Sequence, residues 1–308
     1  GNFNERADIR FDPSGSCTLF AGTFSHGQGH ATVYAHMVAD WLGIPFNSIQ
    51  LEQGDTASVA AGRGTVASRS MVLGGSAMRH AADAVIENGK KFAAHFMEAD
   101  ANDIEFANGV FTIAGTDRAM PITEVAKASF RPAGIPAEFG VGLDGIGAYA
   151  AVQPSFPNGC HICEVEIDPD TGTLTLDKYA VVDDIGVVIN PMLADGQIHG
   201  GIAQGVGQAL TEDVVFDAES GQLMTGSLMD YAMPFAETLP SFDTEFHEVP
   251  CKSNPIGVKG AGEGGTVGAT PAVISAILDA LASLGVTDIG MPATSQRIWQ
   301  AIEKARHL

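Results

Sequence analysis

Two rhythms of hydrophobic positions alternate along this chain. The stretch "SCTLFAGTF" alternates with period two and predicts a strand, after which "HGQGHATVYAHMVADWLG" places Tyr34, Met37, Val38, Trp41 and Leu42 on one helical face and closes at Gly43. "SIQLEQG" predicts a second strand, and "SRSMVLGGSAMRHAADAVIENGKKFAAHFM" one long Ala-rich helix whose Gly74 and Gly75 leave room for a close neighbour. In "DIEFANGVFTIAG" an Asn-Gly pair separates two alternating runs, a strong hairpin signal; "EVEIDPDTGTLTLDKYAVV" repeats the logic with "DPDTG" as its turn. Further strand or hairpin segments are expected at "VVFDAESGQLMTG" and "DTEFHEV", with a glycine-punctuated helix at "NPMLADGQIHGGIAQGVGQALTE". Thr270 and Pro271 predict the N-cap and first turn of "PAVISAILDALASLG", and "TSQRIWQAIEKARHL" is an amphipathic closing helix.

Strands come in hairpins with helices between them, and βα alternation is not sustained. The expected class is therefore α+β, with mixed and antiparallel sheets and packed helices. "GTFSHGQGHATVYA" and "GGIAQGVGQALTED" echo one another, which points to two similar subdomains, roughly 1–145 and 146–308.

The chain has 308 residues, 45% of them hydrophobic, enough for substantial cores. Its net charge of -21, from 37 acidic against 16 basic residues, includes no basic run able to neutralise a phosphate backbone, so nucleic acid is not an expected partner. No apolar run of the roughly 20 residues a membrane span needs stands out, and the first residues lack the pattern of a signal peptide, so a cytoplasmic protein is expected. The four cysteines are too few for a disulfide scaffold, and Cys160 and Cys163 of "CHIC" lead into an alternating strand rather than a helix or a second pair.

Four glycine-rich places remain: "HGQGH" (26–30), "GRGTVASRS" (62–70), "DGQIHGGIAQGVG" (195–207) and "GVKGAGEGG" (257–265). Such loops present backbone N–H groups to an anion, and glutamine amides add donors and acceptors, so together they describe a large, polar, phosphate-bearing ligand. His26 and His30 have metal-ligand spacing but no Glu between them, and a loop role is favoured over a metal. "GAGEGG" matches G-x-G-x-x-G in form, so an NAD-dependent Rossmann dehydrogenase is one alternative. That site should open a long alternating domain, however, and here Asp279 falls inside a helix near the chain's end. Glu263 is the lone acid in its glycine stretch and the candidate reactive group.

The blocks "GTFSHGQGHATVYAHMVADWLGIP", "GRGTVASRSMVLGG", "VEIDPDTGTL", "DDIGVVINPMLADGQIHGGIAQGVGQAL" and "IGVKGAGEGGTVGATPAVISAILDAL" resemble, in order and spacing, the C-terminal molybdopterin-binding half of the molybdenum hydroxylase large subunit. This is the xanthine dehydrogenase family, and the likeness leans to its carbon monoxide dehydrogenase branch. The resemblance implies an oxidoreductase in which Glu263, of the K-x-x-G-E pattern beginning at Lys259, is the general base that takes a proton from molybdenum-bound water or hydroxide. It implies hydroxylation of an electrophilic carbon with water as oxygen source, or oxidation of carbon monoxide. It places Gly27, Gln28, Gly29, Gln197, Lys259, Gly260, Ala261 and Gly262 around the cofactor, and Thr65, Val66, Ala67, Ser68, Arg69 and Ser70 in a loop holding the pterin and its phosphates. No side chain ligates the metal, because the pterin holds it. The cofactor is expected as molybdopterin cytosine dinucleotide, with 2Fe-2S clusters and FAD on partner subunits or domains. The expected partners are the N-terminal half of the large subunit, which has no counterpart in these residues, and iron–sulfur and flavin subunits in a dimer of heterotrimers. A non-catalytic interaction module descended from the family is the other alternative.

Overall fold

The structure is a computed structural model describing residues 4–131 and 134–307. The backbone forms two compact units: residues up to Phe156 together with Pro250–Gly260, and Pro157–Val249 together with Ala261–Leu308. The division expected near residue 145 thus falls at 156/157, because the strand across residue 145 still belongs to the first sheet. The chain then crosses twice more, the second time inside the glycine stretch, between Gly260 and Ala261.

In the first unit β1 (Asn4–Phe11) and β2 (Cys17–Ala21) form an antiparallel pair, α1 (His30–Leu42) follows, and β3 (Ile49–Gln53) lies parallel to β2. A π-helical turn, Ser70–Gly75, leads into α2 (Ser76–Phe96). The hairpin of β4 (Ile104–Ala107) and β5 (Val110–Ile113) turns at Asn108 and Gly109, both at positive φ, and joins β6 (Ala119–Pro121) in a separate small sheet. After α3 (Ile122–Ala128), β7 (Asp144–Ala150) returns to the outer edge of β1, giving the order β3-β2-β1-β7. The stripe read from the sequence buries Tyr34, Met37, Val38 and Leu42 of α1 in the core. Trp41 sits at its margin beneath the Arg79 guanidinium, 5.3 Å from the ring centre.

In the second unit β8 (Asn158–Ile167) and β9 (Leu174–Asp184) form an antiparallel hairpin, α4 (Pro191–Leu210) follows, β10 (Phe242–Phe246) lies parallel to β9, and α5 (Gly264–Leu281) and α6 (Ser295–Arg306) complete the unit. Both units therefore run β-β-α-β-α with the same strand order and the same parallel and antiparallel pairings. The core of the second unit gathers Tyr179 and Val181 of β9, Ile198, Ile202 and Val206 of α4, Val273, Ile277 and Leu281 of α5, and Ile298 and Ile302 of α6.

Three expectations change. Thr270 and Pro271 do not start α5, which begins at Gly264 and carries Pro271 inside it. The Thr270 hydroxyl instead donates to Gly205 O across the helix pair (3.3 Å), and Thr266 does the same to Gly201 O (3.0 Å). The glycines serve close approach: a Cβ on Gly265 would stand 2.9 Å from Gly201 Cα. The segment "VVFDAESGQLMTG" holds a single bridge, Phe216 to Leu223, rather than a hairpin. Finally, Gly264–Leu284 is long and apolar enough, by length and composition, to cross a membrane. Here it contributes the buried stripe Gly265, Ala269, Val273, Ile277 and Leu281 to a protein core.

Candidate functional site

The sequence-predicted residues fall into two groups, one in each unit. In the first unit, two loops are tied together by short polar bonds. Thr65 Oγ1 donates to Phe24 O (2.6 Å) and accepts from Phe24 N (3.2 Å), and it lies 2.7 Å from Ser70 Oγ. Gln28 braces its own loop, its amide nitrogen donating to Phe24 O (3.2 Å) and its oxygen accepting from His26 N. Gly29 ends the loop at positive φ as the N-cap of α1. Beneath this surface, Tyr34 OH donates to Ser70 O (3.0 Å) and pairs with Thr23 Oγ1 (2.9 Å). Burial drives the Tyr34 phenol well above its ordinary range, so it remains a hydroxyl.

Arg69 faces inward. Its guanidinium donates to Glu5 Oε2 (2.7 Å) and Asn4 O (3.0 Å), and its N–H donates to Val66 O (3.1 Å). Both side chains of the Arg69–Glu5 pair are nearly fully buried, so Arg69 anchors the loop and its guanidinium is not turned toward a ligand. What the loop exposes is Val66, Ala67 and Ser68, with Ala67 and Ser68 consecutively at φ 50° and 64°. Non-glycine residues there cost roughly 1–2 kcal/mol each, and such strain is characteristic of binding loops. Gly260 completes the group: a Cβ at that position would stand 1.9 Å from Ser68 Oγ. Lys259 precedes it on a segment clamped by Asn254, whose side chain donates to Val258 O (2.9 Å) and accepts from Val258 N (3.2 Å).

In the second unit Glu263 is exposed at the N-cap of α5, between Gly262 and Gly264. Its carbonyl accepts from Val267 N (3.0 Å), and Gly264 N donates to Ala261 O (3.3 Å), which leaves the carboxylate free of local backbone duty. Gln197 projects from α4, its Oε1 being 4.0 Å from where a Cβ on Gly262 would stand. The amino end of an 18-residue helix, entered through glycines, offers backbone N–H groups and a positive dipole end to an anion.

Two residues here were missed by sequence reasoning. Asp183, next to last in β9, is 5% exposed; its Oδ1 lies 3.6 Å from His161 Nε2, and His161 Nδ1 lies 2.7 Å from Tyr179 OH. Burial first, then Cys163 and Asp183, push the Tyr179 phenol up. Tyr179 therefore remains a hydroxyl that donates to His161 Nδ1, which turns the Nε2–H toward Asp183. Asp183 Oδ2 has no hydrogen-bond partner among the described residues and lies 3.5 Å from where a Cβ on Gly264 would stand. Glycines make the room: a Cβ on Gly159 would meet Asp183 Oδ1 at 1.9 Å, and one on Gly268 would meet the His161 ring at 2.4 Å. The available signals were the paired acids of "VVDDIG" and the histidine inside "CHIC", where the cysteines drew attention instead. Both cysteines are free, and no cluster of three or more metal-ligating side chains occurs among the described residues.

A family profile described as a molybdopterin cofactor-binding domain matches residues 1–240. The carbon monoxide dehydrogenase large chain of Hydrogenophaga pseudoflava is 36% identical over 97% of this chain and 37% of its own length. The nicotine 6-hydroxylase large subunit of Paenarthrobacter nicotinovorans is 37% identical over the same shares. Among solved structures, reconstituted CO dehydrogenase from Oligotropha carboxidovorans matches with a TM-score of 0.91 at 34% identity, over 99% of this chain and 38% of that one. The chain thus spans little more than a third of the length of the relatives it matches.

Proposed function

The chain belongs to the molybdopterin cofactor-binding family, and from that premise we propose that it is the cofactor-holding, base-bearing portion of a molybdenum-dependent oxidoreductase. The donor set fits such a group. Exposed main chain at Val66, Ala67 and Ser68, the Ser68 hydroxyl and the Gln28 loop suit a pterin and its phosphates, with Thr65 and Ser70 bonded to each other behind them and Gly260 keeping clear the space that Ser68 occupies. In the second unit Gln197, Ala261, Gly262 and the bare amino end of α5 offer donors of the same kind, while Lys259 stands beside Gly260 in the first unit. We assign the cofactor as the cytosine dinucleotide form. Bound there, it supplies two-electron chemistry and delivers a water-derived oxygen to an electrophilic carbon, whether of an organic ring or of carbon monoxide.

The observation that carries the reading is the placement of Glu263. Its carboxylate is exposed, set between two glycines, and borne by the first turn of a helix locked to α4, so it can approach a reacting group without competition from neighbouring side chains. Glu263 accepts the proton released as the new carbon–oxygen bond forms. Asp183, 3.6 Å from His161 Nε2, lies against the amino end of α5, where a carboxylate steadies the turn that carries Glu263. Electrons leave through iron–sulfur and flavin groups on other subunits; the relatives' names, "large chain" and "large subunit", support the presence of companion subunits and do not name those groups.

Glu263→Gln in the assembled enzyme tests the role. Turnover is expected to fall about 10²–10⁴-fold while molybdenum per chain is unchanged. Turnover retained at unchanged metal content removes the base assignment and favours a non-catalytic module.

A further inference from the structure

The β-β-α-β-α core that the two units share differs at the edge of its first strand. In the first, the outer edge of β1 carries β7, laid antiparallel over seven residue pairs from Asn4↔Ala150 to Arg10↔Asp144. β7 also presses onto α2, because Gly145 and Gly147 face the helix: Cβ atoms there would stand 2.2 Å from Ala81 O and 2.0 Å from Ala77 O. Ala77 and Ala81, one helical turn apart, are fully buried beneath it.

In the second unit β8 and α5 hold the places of β1 and α2, and among the described residues β8 pairs with β9 alone. Where a counterpart of β7 would lie, a groove of about 510 Å³ stays open. Gly159, His161, Ile162 and Cys163 of β8 line one wall, and Gly268, Ala272 and Ala276 of α5 line the other. Those three small residues repeat at the four-residue spacing of Ala77 and Ala81, and all three are only half-buried. Ile162 is 59% exposed on the strand wall. Pro271, Ser275 and Asp279 flank these small residues on the helix wall, and a strand edge with no strand partner among the described residues, beside a helix face of small residues, is a template for one more strand.

We propose that this groove docks an extended strand, antiparallel to β8, with Gly or Ala at two alternate positions facing α5. The strand comes from the part of the large chain lying outside these 308 residues. That source rests on the functional reading above, and the relatives give it scope, since close to two thirds of their length has no counterpart here. The geometry of the docked strand is that of β7, which the first unit already shows against the same pair of elements.

The test compares amide hydrogen exchange of residues 158–167 in this chain alone and in the native assembled enzyme. The amides of β8 that point away from β9 are expected to exchange about 10²-fold more slowly in the assembly, with the β9-paired amides alike in both. Photo-leucine replacing Ile162 is expected to cross-link to large-chain sequence outside these residues. Ala272→Arg, which fills the groove without entering the core, is expected to leave the melting of this chain unchanged while the yield of assembled enzyme falls. Equal exchange in the two states, assembly unaffected by Ala272→Arg, or a cross-link to a second copy of this chain or to a smaller subunit would each overturn the proposal. None of these readouts depends on molybdenum or turnover, so the catalytic reading can fail while the docked strand stands, and the reverse.

Discussion

The entries into α2 and α5 occupy the same place in the repeated topology and are built in opposite ways. At α2 the polar groups close on one another: Thr23 with Tyr34, Tyr34 with Ser70, Ser70 with Thr65, and Arg69 with Glu5. At α5 a buried carboxylate, Asp183, meets the helix with one oxygen unpartnered, and the next acid, Glu263, stands exposed one residue before the helix begins. Each entry keeps one buried polar atom without a partner among the described residues, Arg69 Nε at the first and Asp183 Oδ2 at the second, but the Arg69 charge is paired with Glu5, whereas a poorly paired buried charge costs stability and is kept where it serves something else. In the proposed function the first entry holds the cofactor and the second carries the base.

Breaking the holder gives the largest effect. Arg69→Ala leaves Glu5 buried without its partner and is expected to destabilise the first unit by about 3–5 kcal/mol in urea unfolding. A loss below about 1 kcal/mol would show that the pair is not what sets the loop. Asp183→Asn acts on the other side of the contrast. Because the lost attraction to the amino end of α5 and the relief of a buried charge oppose one another, unfolding free energy should stay within about 1 kcal/mol of wild type, while turnover of the assembled enzyme falls about 10- to 10²-fold at unchanged molybdenum content. Unaltered turnover would reduce Asp183 to packing. Gly260→Ala crowds Ser68, whose Cβ at 2.6 Å stays in the way whatever the hydroxyl's rotamer, and is expected to cost about 1–3 kcal/mol and to lower the cofactor retained per chain on dialysis.

The smallest effect is a pH slope. Burial lowers the His30 pKa from 6.5, with the Gln53 contact opposing it and His26 adding to it. The unfolded chain therefore binds the His30 proton first, so this residue's share of stability is intact above about pH 6.5 and is lost as pH falls below it. His30→Gln should flatten that part of the decline in unfolding free energy, and an identical slope in the two proteins would contradict it.

Much of this was legible in the sequence. Periodicity announced α1 and α2, Asn108-Gly109 announced its hairpin, and the Gln-Gly echo pointed to the repeated topology although its two copies lie in a loop and in the body of α4. The start of α5 was not legible, since Gly264, Gly265 and Gly268 weaken a helix locally, and Gly265 and Gly268 are needed because α4 and His161 come so close. Thr270-Pro271 mimicked a helix start for the same reason: its purpose is a bond to another helix. The parallel pairing of β10 with β9, and the return of Pro250–Gly260 to the first unit, are tertiary choices that no local pattern records. At the candidate site, glycine clusters and Glu263 could be read directly. The inward turn of Arg69 and the Asp183–His161–Tyr179 line needed the fold.

The most direct measurement is the molybdenum and cytosine nucleotide content of this chain, purified from its source with the subunits that accompany it. About one of each per chain is the expected result. An intact assembly containing neither would contradict the assignment of these loops and of Glu263 to a molybdenum cofactor.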